Sequence, residues 1–236
     1  MYESVAEIYD GIYSKKNYEL EVAQIFELLS TKPESILDIG CGTGGHAEFF
    51  ATEVAYEGID ISGEMIAKAN QKKIQNAEFF NVHLSKVENK NYDAVVSLFN
   101  VVNHIHSLDE LLIFFHDVYK VSSSESEFIF DAWNGYASMI DPPKTEARNI
   151  GDLKIEIIPR LDPLSQSVTM KYIVDTIDGV QWSDKLKMTL WTPKVICDCL
   201  KIVGYSVRIY KGFGKDNLED ASSSDYKILF HCTKEF

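Results

Sequence analysis

The chain has 236 residues, of which 45% are hydrophobic and 12% aromatic. That is enough to bury one substantial core, and it excludes a disordered chain. The net charge is −13 and the pI near 4.9, with lysines scattered among acids, so a nucleic-acid substrate is not expected.

No run of roughly twenty apolar residues offers a membrane span. The opening Met1-Tyr2-Glu3-Ser4 has neither the charged region nor the apolar run of a secretory leader. Cysteines at 41, 197, 199 and 232 do not follow a usual metal spacing, so no metal is expected. A cytoplasmic protein with reduced thiols is expected.

Residues 1–30 read as helical. Val5, Ile8, Tyr9, Ile12 and Tyr13 recur at helical spacing, as do Leu20, Ala23, Ile25, Phe26 and Leu29, with Ser14-Lys15-Lys16-Asn17 between the two runs. Tyr9 and Tyr13 suit either core packing or a lid with a tyrosine hydroxyl in a pocket. Ile36 to Ile39 reads as a buried strand carrying Asp38. Gly40, Gly42 and Gly44 follow, and His46-Ala47-Glu48-Phe49-Phe50 opens a helical pattern. Gly40 and Gly42 allow positive φ and close ligand approach, at the strand end where α/β sheets bind ligands.

Ala55 to Ser62 reads as the second strand. Asp60 follows Gly40 by twenty residues, where a carboxylate can accept both ribose hydroxyl hydrogens. Ser62 caps the next helix, Gly63 to Asn70 or beyond. Ile61 and Met65 suit an adenine ring or the core. The third strand, Ala77 to Val82, ends at His83, which can make one hydrogen bond to a base. The fourth, Tyr92 to Phe99, has an apolar centre that marks it as buried on both faces. Asn100-Val101-Val102-Asn103-His104-Ile105-His106 follows at its carboxyl end. Ser107 starts a helix to about Tyr119, Ser122 to Ser126 is a polar loop, and Glu127 to Phe130 is the fifth strand, ending at Asp131-Ala132-Trp133-Asn134.

The helix–strand alternation then stops. Leu153 to Pro159, Val168 to Thr176 and Val180 to Leu190 alternate in polarity, with turn signals at Asp162-Pro163 and Asp178-Gly179. They predict a small antiparallel insert, about 136–191, covering the pocket. Thr192-Pro193 starts a helix that Gly204 ends. Tyr205 to Tyr210 and Tyr226 to Thr233 read as the last two strands. One domain, 1–236, results.

Two cofactors compete for the glycine turn. Gly40, Gly42 and Gly45 also satisfy a dinucleotide spacing. A dinucleotide brings a pyrophosphate to the helix N-terminus, and a neighbouring Asp38 would repel it. S-adenosylmethionine carries a sulfonium and an ammonium, and no phosphate. The stretch from Ile36 to Gly44, Gly58-Ile59-Asp60-Ile61-Ser62 and Tyr92-Asp93-Ala94-Val95-Val96-Ser97 resemble successive motifs of class I S-adenosylmethionine-dependent methyltransferases. The resemblance implies a Rossmann-like α/β sheet of seven mostly parallel strands, with an antiparallel C-terminal strand. It also implies that S-adenosylmethionine binds at Asp38, Gly40, Gly42, Gly44, Asp60, Ile61, Met65, His83 and Phe99. Val82-His83 departs from the family's acid at the third strand's end, and the serine run departs from its Pro-Gly-Gly.

A narrower resemblance rests on Met1-Tyr2-Glu3, on Ile8 to Tyr13, on Val95-Val96-Ser97-Leu98-Phe99 and on the later insert. These resemble small bacterial methyltransferases of nucleotide-linked amino sugars. That branch implies N-methylation of a small-molecule substrate such as a nucleotide-linked sugar, with Tyr13 in the active site. His104 is the candidate base or orienting group, with His106 its rival, since an imidazole near its ordinary pKa suits proton transfer. Asp131, Trp133 and Asn134 are candidate substrate contacts: a partner for an amine, a wall and a polar neighbour. O-methylation, a non-catalytic S-adenosylmethionine binder and a dinucleotide oxidoreductase are the alternatives, and monomer and homodimer both stay open.

Overall fold

The computed structural model describes residues 6–88, 90–176, 179, 181–214 and 218–235. Val5 and half of the Asp178-Gly179 turn lie outside them. Two helices open the chain, α1 (Ala6–Ile12) and α2 (Tyr18–Leu28); Asn17 caps the second by accepting from the Leu20 amide.

The Rossmann-like half follows: β1 (Ser35–Ile39), α3 (Ala47–Phe50), β2 (Ala55–Asp60), α4 (Gly63–Gln71), β3 (Ala77–Asn81), β4 (Tyr92–Ser97), α5 (Leu108–Val121) and β5 (Ser122–Trp133). After α6 (Gly135–Ile140) come β6 (Glu146–Ile150), β7 (Leu153–Asp162), β8 (Ser167–Asp175) and β9 (Gln181–Thr189). The chain returns through α7 (Pro193–Val203) to β10 (Tyr205–Lys211) and β11 (Lys227–Lys234).

Among the described residues the strands form two sheets. One has the order β10-β11-β5-β4-β1-β2-β3, parallel from β3 through β5, with β11 antiparallel to both neighbours. The other is β6-β7-β8-β9, antiparallel throughout. The central strands β1 and β4 are almost wholly buried, as helices on both faces of a parallel sheet require. One face packs Phe115, Val118, Leu200 and Tyr205; the other packs Ile25, Phe50 and Tyr56. The insert has its own core, including Ile155, Ile157, Val168 and Val174, and Ile12 of α1 belongs to it. The first helix is thereby packed onto the insert.

Three features differ from the sequence prediction. The run Ser122–Ser126 is not a loop but the start of β5. The register jumps from Tyr92↔Ser122 to Ala94↔Glu127, so the extra residues are absorbed as a bulge. Ser122 and Ser126 are buried, and the Ser122 hydroxyl donates to the Val118 carbonyl at 2.6 Å. The insert has a further strand, β6, whose Glu-Ala-Arg-Asn-Ile sequence lacks apolar alternation because it is an edge with one half-covered face. Helix α6 is also additional. Its Asn134 cap accepts from the Tyr136 and Ala137 amides, and Gly135 is pressed so closely on β9's exit that a Cβ would stand 2.1 Å from the Leu190 carbonyl oxygen.

Candidate active site

Two cavities open at the carboxyl edge of the parallel strands. One, of about 420 Å³, lies over β1 and β2 and is lined by Gly40, Gly42, Asp60, Ile61, Met65 and His83, among others. The other, of about 370 Å³, lies under the insert and takes walls from Tyr13, Trp133, Arg148, Tyr172, Asp184 and Tyr226. Tyr9, Phe99 and His104 line both. Volumes of this size suit small-molecule ligands.

The glycine turn builds the first cavity. Gly40 (φ +76) and Gly42 (φ +56) hold left-handed backbone that L side chains rarely adopt. A Cβ on Gly40 would strike Val101, whereas one on Gly42 would meet open space. Asp60 clasps the turn: its carboxylate accepts from the Gly42 amide at 3.0 Å and the Ser62 amide at 2.8 Å. Burial pushes its pKa up, against the pull of those amides. Ile61 is 76% exposed and Met65 fully covered, so one offers an open apolar face and the other a fixed floor. His83 is exposed, and its Nδ1 is engaged by Ser85. Gly44 does not line the cavity; a Cβ there would sit 2.9 Å from Phe79, so this glycine serves the packing of α4 and β3 behind the turn.

Asp38 stands apart from the large cavity and lines a small one of about 30 Å³ with Tyr9, Tyr18, Gly40, His46 and Phe99. Tyr56 donates to its Oδ2 at 2.7 Å, while Oδ1 is buried without a partner. Burial raises its pKa to about 6, against the influence of His46 and the Tyr56 hydrogen bond and with that of Asp60. His46 Nε2 meets Glu21 at 2.8 Å, and Glu21 also pairs with Lys16. Asp10 of α1 accepts from Thr43 in the glycine turn. Both N-terminal helices are thus tied to the turn.

Phe99 is the wall between the cavities. Tyr13 meets its ring edge-on at 4.6 Å and Tyr9 at 6.3 Å. Lys16 and Lys227 place their ammonium groups 4.8 and 5.3 Å from its centre. Its backbone is left-handed (φ +71), as is that of Asn100 (φ +64). Tyr13 is hydrogen-bonded to Tyr172, and burial raises its hydroxyl pKa.

Several predicted roles change. His104 does not keep an ordinary pKa: burial, then the neighbouring His106, push it down to about 4, against a hydrogen bond to the Lys187 backbone. It is a neutral imidazole across the physiological range and a weak base. His106 is engaged with Thr189 at 3.0 Å. Asp131 is 2% exposed and its Oδ1 accepts from both the Phe99 and Asn100 amides, so it pins this turn instead of meeting a substrate amine. Asn134 spends its side chain on the α6 cap and on the Ser223 and Asp225 carbonyls, which leaves none of it for a substrate. Trp133 does line the second cavity, its ring against Tyr226 at 5.2 Å.

Arg148, Tyr172, Asp184 and Lys227 escaped the sequence reading. For the first three the signal was the inward half of the insert's alternation, legible only once the pairing of β6 to β9 is known; Lys227 opens β11, outside the insert. Arg148 also donates to the Ile12 carbonyl at 2.9 Å, joining the insert to α1.

The sheet order is that of the class I methyltransferase fold, a Rossmann-like architecture. Residues 36–123 match the family model described as "methyltransferase domain". The chain is 30% identical over 135 residues to the uncharacterized protein MJ1252 of Methanocaldococcus jannaschii, covering 57% of this chain and 51% of that one. It is 33% identical over 119 residues to a Streptomyces venezuelae enzyme, dTDP-3-amino-3,4,6-trideoxy-alpha-D-glucopyranose N,N-dimethyltransferase, covering 47% and 50%. The matches span about half the length of these curated relatives. Across the whole chain, the fold is similar to the crystal structure of an S-adenosylmethionine-dependent methyltransferase from Clostridium acetobutylicum, with a TM-score of 0.83, 18% identity and coverage of 100% and 99%.

Proposed function

We propose that this protein transfers a methyl group from S-adenosylmethionine to the amino group of a small polar acceptor, most readily a nucleotide-linked amino sugar. The observation that carries this is the meeting of two cavities at Tyr9, Phe99 and His104. A two-substrate displacement needs such a junction, because its barrier falls chiefly through alignment of the reacting atoms.

The residues present fit the cofactor. Asp38 offers an unpartnered buried carboxylate oxygen for an ammonium, Asp60 sits where ribose hydroxyls can donate to it, and Ile61 with Met65 can enclose a flat base. When bound, S-adenosylmethionine supplies a methyl carbon activated by a sulfonium. His104 stays neutral, so it does not repel that cation, and it is too weak a base to deprotonate an alcohol. An amine needs no such base once it is in its free form. Lys144, Arg148, Lys185 and Lys227 around the second cavity suit a diphosphate. The amino-sugar acceptor of the Streptomyces venezuelae relative supports the same choice.

The test is incubation with S-adenosylmethionine and dTDP-linked 3-amino sugars beside their 3-hydroxy counterparts, read by mass spectrometry. Methylation confined to the amines is expected; methylation of the hydroxyl sugars alone sinks the amino-group assignment.

Asp38 gives the cofactor step a pH dependence. The ionised carboxylate holds the ammonium, so binding must release the proton that Asp38 carries below about pH 6. Affinity for S-adenosylhomocysteine is expected to fall roughly tenfold per unit below pH 6 and to be flat above it. The stability contribution runs the other way. A carboxylate raised from 3.8 to about 6 on folding favours the folded state below pH 4, and that contribution is lost as pH rises through 6. Calorimetric titration between pH 5 and 8 checks this; in Asp38→Asn the slope should vanish.

A further inference from the structure

We infer that Asn100 is the residue that takes hold of the acceptor's N–H and turns its nitrogen toward the cofactor cavity. The inference rests on the amino-group assignment and extends it to a named contact. Asn100 lines the cavity under the insert, beside Phe99, and is 5% exposed. Its carboxamide oxygen is buried without a hydrogen-bond partner. Such a group costs free energy unless a ligand satisfies it.

Its neighbours make the contrast. Asn103, also buried, donates to the Thr189 carbonyl at 2.8 Å and accepts from the Trp133 amide at 2.9 Å. Asn134 is used at both ends of its amide. Those two hold the fold together; Asn100 keeps an acceptor in reserve.

The backbone is built to present it. Phe99 and Asn100 are consecutive non-glycine residues with positive φ, a conformation that persists only where surroundings enforce it. Here Asp131 enforces it, accepting both amides on one carboxylate oxygen. Asp131 is therefore a positioning residue, and Asn100 the residue that touches substrate.

The chemistry of an amide oxygen selects the nucleophile. It accepts a hydrogen bond but cannot remove a proton from a hydroxyl. A primary amine donates one N–H to it and keeps its lone pair free. That lone pair forms the new N–C bond as the C–S bond breaks; the sulfur keeps the bonding pair as a neutral thioether, and the resulting ammonium gives its extra proton to water. A secondary amine still has one N–H to donate, and a tertiary amine has none. Asn100 thus favours two successive transfers to a primary amine and no third.

Asn100→Gly tests this, because glycine keeps the left-handed backbone while removing the side chain that carries the amide. Asn100→Asp restores an acceptor oxygen in a residue that also tolerates positive φ. The wild type is assayed first with a dTDP-linked 3-amino sugar. Asn100→Gly is then expected to lose roughly thirtyfold or more in kcat/KM, and to bind that sugar about tenfold more weakly in the presence of S-adenosylhomocysteine. Its melting temperature and its affinity for S-adenosylhomocysteine should be unchanged, and Asn100→Asp should recover most of the loss. Wild-type protein that binds S-adenosylhomocysteine yet methylates no amine overturns the amino-group assignment and this inference with it. Amine methylation that survives undiminished in Asn100→Gly overturns the inference alone, as does an Asn100→Asp variant of normal melting temperature that is as impaired as Asn100→Gly.

Discussion

Asp60→Ala is expected to weaken S-adenosylhomocysteine binding by roughly a hundredfold or more, with the fold retained. Two ribose hydroxyls donating to one carboxylate make two charge-assisted hydrogen bonds, each contributing about 1.5–3 kcal/mol, and together they exceed about two powers of ten. Asp60 is placed for this at the end of β2, with its oxygens already turned toward the glycine turn by the Gly42 and Ser62 amides. The same amides complicate the variant, since alanine frees them as well. Asp60→Asn separates the effects. It keeps one acceptor oxygen for the turn and loses the charge, so it should fall between wild type and alanine. Calorimetry measures the affinity, and circular dichroism with thermal melting reports the fold. An unchanged affinity in Asp60→Ala would leave this residue as a clasp of the turn and nothing more.

The Rossmann-like half was legible because its signals are local. A β-branched run, a carboxylate and alternate glycines occupy consecutive positions from Ile36 to Gly44, and Ser62, Ser107, Thr192 and Gly204 mark helix ends by chemistry that depends on their own neighbours alone. Asp131 and Asn134 show where this fails. Both stand at the carboxyl end of a buried strand, where a substrate contact is reasonable, but apart from Asn134's local cap on Tyr136 and Ala137 their partners lie 31 to 91 residues away. Only the fold reveals that those partners are backbone amides and carbonyls. His104 differs in another way: its residue type and place at the strand end were informative, whereas its lowered pKa belongs to the burial that surrounds it. Asn100 was placed at the right strand end, yet its meaning comes from a missing hydrogen bond, which no sequence displays.

Asp131 carries the second large effect, and the two ways of replacing it discriminate between a fold role and a substrate role. Alanine removes the one oxygen that serves both the Phe99 and Asn100 amides. Two buried donors are then left unmet at about 1–3 kcal/mol each, and nothing compels the left-handed pair. A loss of roughly 2–6 kcal/mol corresponds to a melting temperature lower by about ten degrees in a chain of this size. Catalysis should fall further than stability, since Phe99 walls both cavities and Asn100 lines one. Asparagine is the informative substitution. Its carboxamide oxygen can occupy the same position and accept the same two amides, so only the charge is lost. If Asp131 shapes the turn, Asp131→Asn melts within a few degrees of wild type and its KM for an amino sugar rises by no more than about threefold. If instead its charge paired with the substrate amine, the same variant would keep its stability and lose its acceptor, with KM rising by roughly two orders of magnitude. The geometry favours the first outcome, because the carboxylate is 2% exposed and one of its two oxygens already accepts two hydrogen bonds.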